Sequence, residues 1–132
     1  MSEAPYSPLV IEHFAQPRNV GRFAAAADVI AASAGDPEQG VRFDLSARVR
    51  EDRIVNVRFE VYGCPHCIAA GSLLSERLQG ATQDDLRRWN WREVAEALEI
   101  APEKRGRLLV LEDAVRALAA AWQRRAEGAG NS

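Results

Sequence analysis

A chain of 132 residues, 47% hydrophobic and 27% charged, has room for one domain built around a single core. Its formal net charge of -2 excludes the basic footprint of a nucleic-acid binder, and no stretch approaches the ~18 uninterrupted apolar residues of a membrane span. Met1 to Pro8 lacks a basic region followed by an apolar one, so no secretory leader is read and a cytoplasmic location is expected.

Ser7-Pro8 predicts an N-cap with proline at the first helical position, opening a short helix through Val10, Ile11 and Phe14 that Pro17 ends. Residues 23–34, alanine-rich around Val29 and Ile30, fit strand or helix, and strand is preferred. Val41, Phe43, Leu45, Ala47 and Val49 alternate with polar residues, the period-two pattern of a half-buried strand. Glu51-Asp52 supplies a polar turn, after which Val55, Val57, Phe59 and Val61 repeat the alternation, predicting an antiparallel hairpin. Past Gly63 the period becomes helical through Ile68, Leu74 and Leu78, with a stop at Gln79-Gly80. Thr82 and Asp85 resemble a capping box opening a helix through Leu86, Trp89, Val94 and Leu98 to Ile100, and Pro102 breaks it. A last amphipathic helix runs through Leu111, Val115, Leu118 and Trp122. The expected organisation is one α+β domain over 1–126, a small antiparallel sheet of about three strands covered by helices, with a disordered tail at 127–132.

Both cysteines fall in one tetrapeptide, Cys64-Pro65-His66-Cys67, at the strand-to-helix corner. Three positions apart on a first helical turn, their sulfurs can face the same side and share a proton, a bond or a metal. Proline suits that turn, and the free backbone N–H groups there favour thiolate, most of all at Cys64. His66 either adds a nearby positive charge or points to solvent. In a reducing compartment such a pair reads as redox-active or metal-binding rather than as a staple, since a disulfide closing so short a loop stabilises little. A metal site of this pair alone is short of the four ligands zinc prefers, unless His66, His13 or a second chain contributes. The bland reading of His13 is a surface or capping histidine, and that of the cysteines is simple packing at a helix start. A strand, C-x-x-C and helix in succession also occur in thioredoxin-like oxidoreductases. That fold needs further strands after the helix, whereas residues 82–125 read as helical. No acid–base constellation accompanies the thiols, so turnover as an enzyme is not expected, and any activity would be thiol–disulfide or sulfur-transfer chemistry.

Taken whole, the chain resembles the scaffold proteins for iron–sulfur cluster assembly, the IscU and NifU amino-terminal family. The resemblance is carried by His13-Phe14, Pro17-Arg18-Asn19-Val20-Gly21, Gly35, Pro37, Gly40, Tyr62-Gly63-Cys64, Ile68-Ala69, Ser72-Leu73-Leu74 and Gly80. It continues in Asn90, Ala95-Glu96, Leu98, Pro102, Lys104 and Glu112-Asp113-Ala114. It implies an α+β fold, a [2Fe-2S] cluster held by three cysteines helped by an aspartate and a histidine, and work with a cysteine desulfurase or other assembly proteins. Most of that ligand set is replaced. The first cysteine position falls on Gln39, the aspartate on Val41, the histidine on Gly106 and the last cysteine on Arg107, and only Cys64 stays in register. Cys67 falls where the family usually has alanine. Because a cluster needs about four thiolate or imidazole ligands, one such chain is not expected to hold it in the family's way, and a homodimer pooling two C-x-x-C pairs is the alternative. Arg107 either favours the Cys64 thiolate, if the fold joins the two loops, or is a plain surface arginine. The family's recognition segment for a DnaK-type chaperone corresponds to Ile100-Ala101-Pro102-Glu103-Lys104, of which only half survives, so that partner is not carried over. Three readings follow: a site at Cys64 and Cys67 for an iron–sulfur cluster, iron, zinc or sulfur in cluster assembly, a dithiol redox or persulfide carrier, or a ligand-free modulator of the assembly machinery.

Overall fold

A computed structural model describes residues 6–130. Helix α1 (Pro8–Ala15) starts where the sequence places it: Ser7 caps it by accepting from the Val10 N–H at 3.3 Å. The same hydroxyl donates to the Leu98 carbonyl at 2.6 Å and so ties α1 to the second half of the chain.

The sheet holds strands β1 (Val29–Asp36), β2 (Val41–Arg50) and β3 (Arg53–Tyr62), antiparallel in the order β1-β2-β3. The preference for strand in 23–34 therefore holds only from Val29 onward, and residues 19–27 instead run along the sheet without forming a strand. Val20 bridges Phe59, and the Phe23 ring lies under the guanidinium groups of Arg48 and Arg58, at 5.1 and 4.7 Å. Between β2 and β3, Glu51 and Asp52 both have positive φ, 54° and 63°, the backbone of a two-residue type I′ hairpin turn. A register shift at Arg48/Val49 then pairs Arg48 with Asn56 and Val49 with Ile54, leaving Val55 as the extra residue. Ile54 consequently points into the core and Val55 outward, which corrects the simple alternation expected for this strand.

Helix α2 (Pro65–Arg77) packs on β3 and α1, and α5 (Gly106–Gly130) lies across β1 and β2. Phe43, Leu45, Phe59, Leu74, Leu111 and Leu118 are all at most 2% exposed in one continuous core. Residues 82–100 form two short helices, α3 (Gln83–Arg87) and α4 (Arg92–Ala97), in place of the single one expected. The Thr82–Asp85 capping box is present. The interruption at Asn90 and Trp91 is stabilised by side chains: the Asn90 carboxamide oxygen accepts from the Arg92 N–H, and Glu112 of α5 accepts from the Trp91 N–H at 3.0 Å. Helix α5 runs to Gly130, into the stretch expected as a tail, and Asn131 and Ser132 lie outside the described residues.

His13 is neither a surface nor a capping residue. It is 2% exposed, with Nδ1 2.7 Å from Ser72 Oγ and 3.1 Å from Arg18 Nη1. A guanidinium only donates, so Nδ1 is the acceptor and the ring proton sits on Nε2, facing Glu76 at 3.7 Å. Ser72 Oγ also accepts the Arg18 backbone N–H, and Asn19 Nδ2 donates to Ser75 Oγ, so this network fastens residues 18–19 to α2. Burial first, then the Arg18 charge, holds the imidazole below its ordinary value of 6.5. Because the folded state binds this proton less readily than the unfolded one, the contribution to stability is complete above pH 6.5 and is lost progressively as pH falls from there through the lower value of the folded imidazole. Thermal unfolding from neutral pH down to about pH 5 should show a falling Tm. His13→Asn, whose carboxamide oxygen replaces Nδ1 as acceptor, should flatten that fall. An equally steep profile in the variant would assign it elsewhere.

Candidate functional site

Three segments meet at the amino end of α2. The first is Gly63-Cys64, leaving β3. The second is the short 3-10 turn Pro37–Gln39 with Gly40 and Val41, and the third is the first turn of α5, with Gly106 and Arg107. Their proximity is direct. A methyl group on Gly63 would stand 3.7 Å from Val41 Cγ2 and one on Gly40 would stand 3.9 Å from Arg107 Nη2, and the Arg107 charge lies close enough to Cys64 to favour its thiolate. Gly40 is required here as glycine because it ends the turn with φ 92°, in the left-handed region.

Cys64 is the N-cap of α2, with extended backbone and Pro65 following at the first helical position. The Cys67 N–H donates to the Cys64 carbonyl at 2.9 Å, closing the turn. The two sulfurs are 3.7 Å apart, Cys64 half-buried and Cys67 1% exposed. Both thiols are free. A hydrogen bond from the Cys67 thiol lowers the Cys64 pKa most, against the effect of partial burial. The backbone N–H of Cys67, the Arg107 guanidinium and the backbone N–H of His66 add to the lowering, which brings Cys64 to about 4. Cys67, which gives its proton to that hydrogen bond and is buried beside an anionic sulfur, is pushed upward and stays a thiol. The pair therefore consists of an accessible thiolate and a buried, protonated neighbour.

The other residues singled out by sequence separate into two groups. His66 does not point to solvent: its side chain is 9% exposed and its ring packs 4.8 Å from that of Tyr6, a contact without a sequence signal. Of the four positions that the resemblance aligns with ligands, Val41 and Arg107 line the meeting point, whereas Gln39 and Gly106 are exposed. Among the described residues no three His, Cys, Asp or Glu side chains converge as a metal site. Two thiolates on one tetrahedral metal at ~2.3 Å stand about 3.8 Å apart, so the observed sulfur spacing suits half of such a site. In the segment Ile100–Lys104, Ile100 is buried and residues 101–104 are exposed around a 3-10 turn. Among the described residues no helix is long and apolar enough to cross a membrane.

A three-stranded antiparallel sheet with helices on one face, presenting a thiolate at a helix start beneath two converging loops, defines an α+β thiol scaffold. The chain belongs to the family of the NifU-like N-terminal domain, whose model matches residues 5–128. It is 33% identical over 124 residues to the iron-sulfur cluster assembly scaffold protein IscU of Escherichia coli strain K12, covering 92% of this chain and 97% of that protein. It is 35% identical over 114 residues to the protein of the same name from Azotobacter vinelandii, covering 85% and 89%. Its fold is similar to that of a cluster assembly scaffold protein for the SUF system from Fervidobacterium islandicum, with a TM-score of 0.68 at 15% identity over 87% of this chain and 96% of that one. It is also similar to a NifU-like protein from Brucella abortus, with a TM-score of 0.59 at 21% identity over 92% and 94%.

The electrostatics predict a selective alkylation pattern. Iodoacetamide should label Cys64 and spare Cys67 until the chain unfolds, and the midpoint of the pH–rate profile should lie far below the ordinary thiol value of 9.0. Arg107→Gln should move that midpoint upward and slow labelling near it by up to about tenfold. A midpoint in the ordinary thiol range, or equal labelling of both cysteines in the folded chain, would remove the asymmetry.

Proposed function

We propose that this chain acts in iron–sulfur cluster assembly as a scaffold-type protein that receives its cargo at Cys64. The observation that carries this reading is the Cys64 sulfur itself, half-buried at the start of α2 with the Arg107 charge close by. It keeps the one cysteine register that the family resemblance retains, in a chain that is 33% identical to a cluster assembly scaffold over nearly its whole length. The cargo this geometry suits on a single chain is sulfur. An accessible thiolate is the nucleophile that takes a sulfane sulfur from a persulfide, and a fixed cation beside it favours both the thiolate and the product persulfide anion. A cysteine desulfurase is the partner this chemistry calls for, in a reducing cytoplasm where free thiols persist. Mixed in stoichiometric amount with a desulfurase carrying sulfane sulfur and no free cysteine, the reduced chain should empty it in a single turnover. Cys64→Ser should leave the donor loaded, and a donor that keeps its sulfur in the presence of the native chain would refute the assignment.

The 3.7 Å sulfur spacing favours a second reading, in which two copies pool their pairs into four thiolates around a cluster carried as cargo. Anaerobic reconstitution with ferrous iron and sulfide should then give visible-region absorption that elutes with a dimer and is lost in Cys67→Ser. Colourless protein after reconstitution leaves sulfur as the cargo.

A further inference from the structure

We propose that Cys67 is the resolving thiol of this site: with a sulfane sulfur seated on Cys64, Cys67 attacks the Cys64 sulfur, closes a Cys64–Cys67 disulfide and expels the transferred atom as sulfide. The inference rests on Cys64 as sulfur acceptor and adds a reductive release step that the acceptor role alone does not require.

Four observations support it. The two sulfurs are 3.7 Å apart, and the Cys67 N–H bond to the Cys64 carbonyl already holds both residues in one turn, so closure to a disulfide of ~2.05 Å needs a small rotation of the side chains. Cys67 is 1% exposed, so donors in solution do not reach it and it meets only a sulfur that Cys64 presents. The chain has two cysteines in all, which makes Cys67 the sole thiol able to take over from Cys64, since Arg107 stands at the family's last cysteine position. Arg107, whose guanidinium lies beside Gly40 and close enough to Cys64 to favour its thiolate, places a permanent cation near the departing hydrosulfide anion.

The electrons and atoms balance as follows. The Cys64 thiolate attacks the terminal sulfur of a donor persulfide, forming Cys64–S–SH and breaking the donor's S–S bond, and the donor thiolate leaves. The Cys67 sulfur then attacks Cys64 Sγ. The Cys64–Cys67 bond forms, the bond to the terminal sulfur breaks with its electron pair, and hydrosulfide departs while the Cys67 proton passes to solvent. The sulfane sulfur is reduced by two electrons to sulfide and the dithiol is oxidised by two to a disulfide, which an external dithiol reductant returns to the starting state.

The test uses reduced native chain, glutathione persulfide as donor, a chelator and no other thiol. The native chain should release sulfide in proportion to a Cys64–Cys67 disulfide mapped by peptide mass, its intact mass lower by two hydrogens, and dithiothreitol should allow a further round. Cys67→Ser and Cys67→Ala, checked for native circular dichroism and Tm, should instead gain the mass of one sulfur on Cys64, with sulfide release reduced to the donor-only background. Native chain that retains the extra sulfur with no disulfide overturns the resolving role while leaving Cys64 as acceptor. Equal sulfide release from native and Cys67→Ala chains overturns it as well. Folded native chain that takes up no sulfur refutes both the acceptor and the resolving roles.

Discussion

Gly71 lets α2 lie so close to β3 that a single methyl group there would come within 2.6 Å of the buried Phe59 ring. With the helix at this distance, Ser72 and Ser75 on its next positions reach the backbone and side chains of residues 18–19. Asn19 and Gly21 in turn bond the backbone of Phe59 on β3 at 3.0 and 2.9 Å. The helix, the strand and the crossing segment thus form one rigid unit, with its polar groups satisfied internally. Its free end is the start of α2. The thiolate therefore stands on a rigid helix end, where a reacting group is held most reproducibly.

Around that end, the changes in residue type alter the chemistry and leave the geometry in place. The loops that carry Val41 and Arg107 still converge on Cys64, yet one now supplies an aliphatic side chain and the other a cation. A guanidinium next to a thiolate stabilises the anion without being able to share a metal with it. With a guanidinium and an aliphatic side chain there, the converging loops offer the Cys64 sulfur a charge and no further thiolate. Cys67 adds a second sulfur 3.7 Å from the first and buried where Cys64 is not, and the two cysteines accordingly differ in protonation.

Most of the architecture was legible in the sequence because it is encoded locally. The period-two pattern of β2, the Ser7-Pro8 start, the Thr82–Asp85 capping box and the change of period at Gly63 each act within a few residues. What escaped was set by contacts far apart in sequence. The shift at Arg48/Val49 turns Val55 outward and Ile54 inward, and alternation alone does not reveal where such an extra residue lies. The break between α3 and α4 depends on Glu112, 21 residues beyond the Trp91 N–H that it accepts from. His13 looked like a surface residue because its partners, Arg18, Ser72 and Glu76, lie in other elements. At the site, the C-x-x-C pair and its N-terminal activation were visible from spacing. The burial of His66 against Tyr6, and the sharp difference in exposure between the two thiols, were not.

Several residues that carry the family resemblance have structural tasks here, and that separates scaffold from chemistry. His13, Arg18, Asn19, Ser72, Asn90 and Glu112 all act through hydrogen bonds that fix backbone segments. None of these bonds involves a metal or a cluster. The fold is thereby independent of its cargo. A platform whose stability comes from its own polar network is free to change what it presents at the start of α2. In this chain that is one thiolate, one buried thiol and one guanidinium, a set suited to moving a sulfur atom and its electrons.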